Sequence, residues 1–297
     1  MKIYTLNQYV HDVFGQKLYK IALDGGFTCP NRDGTTDTRG CIFCSGAGSG
    51  EFAGDRAMSI TRQIEKGKER VAGKIKDGRY IAYFQAFTNT YAPVEKLRSL
   101  YMEAISHRDI AVLSIATRPD CLPDEVLDLL CECNKIKPVW VELGLQTIHP
   151  RTAEYIRRGY PLSMYDDAVN RLKASGIKVI VHVMLGLPGE TRQDMLDTVS
   201  YVGKSRADGI KLQLLHVIRG TDLEKDYLEG KFETLAFESY VELVAECIAL
   251  LPENMVIHRM TGDGDKRTLV APLWSADKKR VLNAIQKAIS QKVRIRD

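Results

Sequence analysis

The chain has 297 residues, 44% apolar and 27% charged, and its 42 Lys/Arg against 38 Asp/Glu give a net charge of +4. That length allows one large α/β barrel with a full core and no disulfide help, and the composition is that of an ordinary soluble globular protein. No run approaches the roughly eighteen apolar residues that cross a bilayer. The opening MKIYTLNQYVHDVFG has no charged head followed by an apolar stretch, so it does not read as a signal peptide and a cytoplasmic location is expected. Seven cysteines, an odd number in an enzyme-sized chain, point to thiols and metal rather than a disulfide framework.

In chain order, short β-branched and aromatic runs alternate with amphipathic helical stretches, the pattern of βα units on a parallel sheet. Strands are expected over 18–24, 80–86, 111–117, 138–145, 177–185 and 209–216. Helices are expected over 57–77, 94–106, 123–134, 151–158, 163–174 and 191–205. Pro123 with Asp124 and Glu125, and Gly189-Glu190-Thr191, supply helix-start chemistry. Six units, not eight, predict an open, partial barrel. After residue 220 the pattern changes to a helix over 235–251, a strand over 255–260, a Gly/Asp loop and a basic helix over 277–291. Two units follow: a barrel over 1–220, and an extension over 221–297 that closes the barrel and is a candidate RNA contact.

The loop after the first strand reads Cys29-Pro-Asn-Arg-Asp-Gly-Thr-Thr-Asp-Thr-Arg-Gly-Cys41-Ile-Phe-Cys44. Three thiols stand where a closed zinc site would need four ligands, and His11 is the only His nearby. A [4Fe–4S] cluster held by three Cys leaves one iron open to a small molecule, so Cys29, Cys41 and Cys44 are the expected metal ligands. Gly25, Gly26, Gly34 and Gly40 let the backbone fold closely around such a cube.

Reactive groups in βα barrels gather at the C-terminal strand ends. Gln85, Thr88, Asn89 and Thr90 end the second strand, though polar residues there are also turn formers. Pro119 holds Arg118 extended, which aims its guanidinium inward at a carboxylate or phosphate. Glu142 and Gln146 are an even number apart and share a face. A carboxylate inside a barrel is expensive unless paired, so Glu142 is either a ligand contact or the structural partner of Arg118. His182 stands between Val181 and Val183 as a core residue or a ligand contact, and Lys211 and Gln213 alternate with leucines to face the cavity. Cys121, Cys131, Cys133 and Cys247 lack cluster spacing and read as buried free thiols.

The cysteine loop resembles that of the radical S-adenosylmethionine (SAM) superfamily, whose usual spacing is C-x3-C-x2-C; here eleven residues separate the first two cysteines. With FTNTYAP, ELGLQT, VMLGLPGET and RMTGDG, the chain is similar over nearly its whole length to a bacterial subfamily related to the catalytic subunit of Elongator, which modifies wobble uridine in tRNA. The resemblance implies an α/β fold, a partial (β/α)6 barrel of the radical SAM type with a C-terminal α/β extension. It implies a [4Fe–4S] cluster, SAM cleaved to a 5′-deoxyadenosyl radical, and a reducing donor such as flavodoxin or ferredoxin. Phe43 would pack near the adenine, and backbone on the sixth strand would hold that ring. A Gly-Gly-Glu sequence that receives the SAM amino group in many relatives is absent, and Thr88, Asn89 and Thr90 stand in its place. Glu142 or Gln146 would contact SAM, and His182 the SAM ribose or the substrate.

Charge is uneven. Residues 258–297 hold ten Lys/Arg against four Asp, and 56–79 hold eight against three acids. Such patches draw polyanions, or are solvated helix faces. A splayed wobble uridine is a plausible radical target, and the subfamily is tied to conversion of carboxymethylaminomethyl-uridine to aminomethyl-uridine. The competing readings are a radical SAM enzyme for a small metabolite or a protein, and a non-catalytic iron–sulfur or zinc-binding protein.

Overall fold

The expected strands form within two residues of their predicted bounds: β1 (Leu18–Leu23), β2 (Arg79–Phe84), β3 (Ile110–Thr117), β4 (Val139–Gln146), β5 (Lys178–Leu185) and β6 (Gly209–Leu214). The computed structural model describes residues 3–74, 78–262 and 264–294. The end of the helix expected over 57–77, Asp263 of the Gly/Asp loop, and Arg296 and Asp297 of the charged tail lie outside the described residues. The six strands pair in parallel in sequence order, and β8 (Val256–Arg259) adds to β6 as a seventh. The sheet curls into a partial barrel. All eight residues of β3 are buried, as a parallel strand covered on both faces requires.

Parallel neighbours need crossover helices, supplied by α2 (Ile60–Val71), α3 (Val94–Ser106), α4 (Asp124–Ile136), α5 (Pro150–Tyr155), α6 (Leu162–Ala174) and α7 (Arg192–Lys204). Helix α2 shows why they dock. Ser59 caps it by accepting from Arg62 N at 3.2 Å, Ile60 and Ile64 bury one stripe, and Arg62 and Arg70 stay exposed. Thr191 and Asp194 form a reciprocal capping box on α7.

Sequence periodicity did not reveal four elements. Helix α1 (Leu6–Phe14) precedes β1; Val10 packs with Leu18, Ile81, Val112, Trp140 and Ile180 across the N-terminal ends of five strands. Just ahead of it, Tyr4 O accepts from Ile257 N at 2.8 Å. The chain start therefore lies under the barrel and reaches β8. Beyond β6 come β7 (Val217–Ile218), α8 (Asp222–Leu228), α9 (Phe237–Leu250), β9 (Leu269–Ala271) and α10 (Lys278–Arg294), with β7 and β9 paired antiparallel. Helix α9 buries Tyr240, Leu243, Val244 and Cys247 in the same core as the barrel helices. Among the described residues no helix is long and apolar enough to cross a membrane.

Candidate active site

The cysteine loop leaves the C-terminal end of β1 and is wound around one side chain. Arg32 donates to Cys44 O at 3.0 Å and Ser45 O at 2.6 Å. Gly40 has φ +77°, and a Cβ there would lie 2.8 Å from Arg32 Nε, so only glycine fits the path. Buried Asn31 donates through Nδ2 to Arg157 O at 2.6 Å and to Cys41 Sγ at 3.4 Å, while Ser49 Oγ lies 3.7 Å from Cys44 Sγ. Hydrogen bonds to sulfur are one of the levers that tune iron–sulfur centres. Burial, reinforced by Cys44 and Cys29, pushes the Cys41 thiol up to about 12, and burial also raises Cys44. Such thiols become ligands only when a metal takes the place of their protons.

Cys29, Cys41, Cys44 and Phe43 line a cavity of about 1480 Å³ inside the barrel. A pocket for one small molecule is typically about 300–1,000 Å³, so this one has room for a cofactor and part of a substrate. Its upper ring comes from the strand ends. Gln85 donates to Ser49 O at 2.7 Å, and Gln146 sits at φ +68° past a bulge in β4, its buried Oε1 unpartnered among the described residues. Arg118 lies by the cysteines, but its guanidinium forks onto its neighbour Asp120 at 2.7 and 2.9 Å, with the Tyr160 ring 5.0 Å away. The carboxylate it was expected to meet is therefore the chain's own.

Two expected contacts are misplaced. Asn89 and Thr90 do not line the cavity: Asn89 is fully buried and donates to Ala116 O at 2.7 Å, while Thr90 Oγ1 bonds Thr117 Oγ1 and Cys121 O. Phe87, at φ +61°, turns the chain so that Thr88 alone of the three faces the cavity. The polar side chains that follow are spent on joining β2 to β3.

Deeper, each strand of the sheet contributes one polar side chain. Glu142 is the hub. Its Oε1 accepts from Lys20 Nζ and Ser114 Oγ, both at 2.8 Å; its Oε2 accepts from His182 Nε2 at 2.8 Å and from Lys211 Nζ. Tyr83 and Arg259 complete the layer. The partners of Glu142 are thus Lys20, His182 and Lys211, not Arg118. Burial alone would push Glu142 up, but Lys20 and Lys211, with His182, hold it well below the usual carboxylate range. Burial, Lys20 and Arg259 push Lys211 down, against Glu142. Lys20 escaped the sequence reading, although its i, i+2 relation to Ala22, which also lines the cavity, was the available signal. Gln213 Nε2 lies 3.3 Å from His182 Nδ1, which fixes the imidazole as the neutral Nε2–H tautomer.

Two models of known families match: Radical SAM superfamily over residues 38–202, and Radical_SAM C-terminal domain over residues 207–291. The chain belongs to the radical SAM superfamily. The superfamily match begins after Cys29, the cysteine whose spacing departs from the usual loop. YtqA of Bacillus subtilis, described as uncharacterized, is 48% identical over 291 residues, which cover 98% of this chain and 90% of YtqA. The tRNA uridine(34) acetyltransferase of Methanocaldococcus jannaschii is 31% identical over 165 residues, 54% of this chain and 30% of that enzyme. Among solved structures, archaeal Methanocaldococcus infernus Elp3 superposes with a TM-score of 0.70 at 17% identity, over 93% of this chain and 63% of that chain, a likeness of fold.

This radical SAM enzyme has a donor set that fits the [4Fe–4S] cluster and SAM that the family implies. A single tetrahedral zinc has bonds of about 2.3 Å and so draws its sulfurs to within about 4 Å of one another. Among the described residues, the group of three ligating side chains gathered within 4.8 Å is instead Glu65, His107 and Asp109. Lys68 already fills that group, 3.0 Å from Glu65 and 2.7 Å from Asp109. The three cysteine thiols are not gathered that closely, as a single zinc would require. Cys121, Cys133 and Cys247 are buried as expected, whereas Cys131 is only partly so.

His182 makes stability depend on pH. Burial and Lys211 lower it from 6.5 to about 4. The unfolded chain therefore takes up a proton below about pH 6.5 that the folded chain refuses. Stability present above that pH is lost as pH falls from about 6.5 toward 4, on the order of 3 kcal/mol. We expect His182→Gln, which keeps a donor to Glu142, to flatten the melting-temperature profile between pH 6.5 and 5; an unchanged slope would contradict the assignment.

Proposed function

We propose that this radical SAM enzyme modifies the C5 side chain of wobble uridine in tRNA, converting carboxymethylaminomethyl- to aminomethyl-uridine. The observation that carries the reading is the cavity itself, with the thiols on one wall, a polar layer below, and exposed Lys266, Lys278, Lys279 and Arg280 at its rim. A base splayed from an anticodon loop would enter such a mouth while its phosphates meet the cations. Among the described residues, no Lys or Arg of 56–79 lines the cavity. Shared ancestry with an enzyme named for uridine 34 supports the same target.

Cys29, Cys41 and Cys44 would hold the cluster, which with SAM and an electron from a flavodoxin or ferredoxin supplies a 5′-deoxyadenosyl radical able to take hydrogen from an unactivated C–H. Phe43, Gln85, Arg118, Gln146 and Gln213 ring the space beside it and would orient SAM. The layer of Glu142, His182 and Lys211 lies three to four residues short of the strand ends, roughly 10 Å deeper, and would face the substrate.

Nucleoside mass spectrometry of tRNA from cells with and without the gene tests the reading. Loss of aminomethyl-uridine derivatives with build-up of the carboxymethylaminomethyl form is expected, and an unchanged profile would redirect the search to metabolites and peptides. The rim is tested separately. Changing Lys278, Lys279 and Arg280 together to Ala should weaken tRNA binding and reduce the slope of log affinity against log salt by roughly two to three. A slope equal to that of the unchanged protein would place the RNA elsewhere.

A further inference from the structure

The polar layer at the bottom of the cavity has donors left over. Glu142 accepts from Lys20, Ser114, His182 and Lys211, which uses the roughly four lone-pair sites of a carboxylate. Each ammonium brings three donors. Lys211 spends two, on Glu142 and on Tyr83 OH at 3.2 Å. Lys20 spends one, on Glu142, and has no further hydrogen bond among the described residues, while its side chain keeps 23% of its surface exposed. The two ammonium groups lie 4.7 and 4.6 Å from the centroid of one ring, Tyr83, and Arg259 lines the same space. One saturated carboxylate thus faces the side chains of Lys20, Lys211 and Arg259 at the bottom of the cavity.

We propose that this floor is a carboxylate-binding subsite for the substrate, with Lys20 as its principal ligand and Lys211 and Arg259 as supporting charge. The site stands on the geometry; only the molecule bearing the carboxylate rests on the wobble-uridine reading. There the carboxylate is that of the carboxymethyl group being removed, and the aminomethyl product lacks it. A subsite built for a charged group rejects an analogue without it, so the floor would select substrate and release product. SAM is the other source of a carboxylate, but its amino-acid end must reach the open iron beside the cysteine loop, roughly 10 Å above.

The probe is N-benzylglycine, which places an aryl methyl-amine on a carboxymethyl group; N-methylbenzylamine is the same molecule without the carboxylate. Calorimetric titration of the anaerobically reconstituted full chain should show binding of the first and not the second. Lys20→Met should weaken N-benzylglycine roughly tenfold to a hundredfold, leave SAM affinity within about twofold, and be partly rescued by Lys20→Arg. Iron content and melting temperature establish that the variants are folded and loaded. Unchanged probe affinity in folded Lys20→Met, or equal binding of both probes, overturns the proposal. Loss of SAM affinity in step with the probe also overturns it, by giving the floor to the cofactor. If the tRNA profile is unaltered by gene loss while the probes behave as expected, the RNA reading falls and the subsite stands.

Discussion

Cys44→Ala is expected to bring SAM cleavage below detection while leaving the protein folded. The cluster loop offers three thiols, and losing one would leave two irons of a cube without protein ligands. No other cysteine lines the cavity: Cys121 is buried beside Asp120, Cys131 and Cys133 lie on α4, and Cys247 is buried on α9. The loop is held by bonds that do not use the thiol of Cys44, notably Arg32 to the carbonyls of Cys44 and Ser45. Stability of the metal-free chain should therefore change by less than about 1 kcal/mol. Iron and sulfide content after anaerobic reconstitution, together with 5′-deoxyadenosine release, measures the effect, and Cys121→Ala is the control that should retain both. Full SAM cleavage by Cys44→Ala would remove this thiol from the ligand set.

Strands and crossover helices were legible because each shows its own period: β3 is an unbroken buried run, and α2 repeats its buried isoleucines at i, i+4. The inward face of the barrel was legible for the same reason, and it brought Glu142, His182, Lys211 and Gln213 to the cavity together. What pairs with what was not. Glu142 meets Lys20, His182 and Lys211 across separations of 122, 40 and 69 residues, and local patterning carries no information about a partner on another strand. Arg118 looked like that partner from its strand end, yet Asp120, two residues on, holds it. Asn89 and Thr90 failed differently. Their types suit a ligand site, but one positive φ at Phe87 turned them into the interior. Helix α1 is short, and the apolar cluster that gives Val10 its place is assembled from five distant strands.

Removing the hub of that layer should be the most damaging single change to stability. Glu142→Leu would leave Lys20 and Lys211 beside the Tyr83 ring with their shared counter-charge gone. Breaking a buried ion pair from one side typically destabilises by about 3–5 kcal/mol, a large part of the total stability of a domain. The desolvation of the lysines, rather than the strength of the lost bonds, sets that figure. Removing a cation as well should therefore relieve it: Glu142→Leu with Lys211→Met is expected to be more stable than Glu142→Leu alone. Acid supplies the same test without mutation. Glu142 is held well below its ordinary range, so its contribution is complete above the unfolded value near pH 4.5 and fades as pH falls through the folded one. Urea denaturation of the single and double variants at pH 7 decides the matter. If the double variant is no more stable than Glu142→Leu, the loss comes from packing rather than unpaired charge, and the floor is not held together by the electrostatics described.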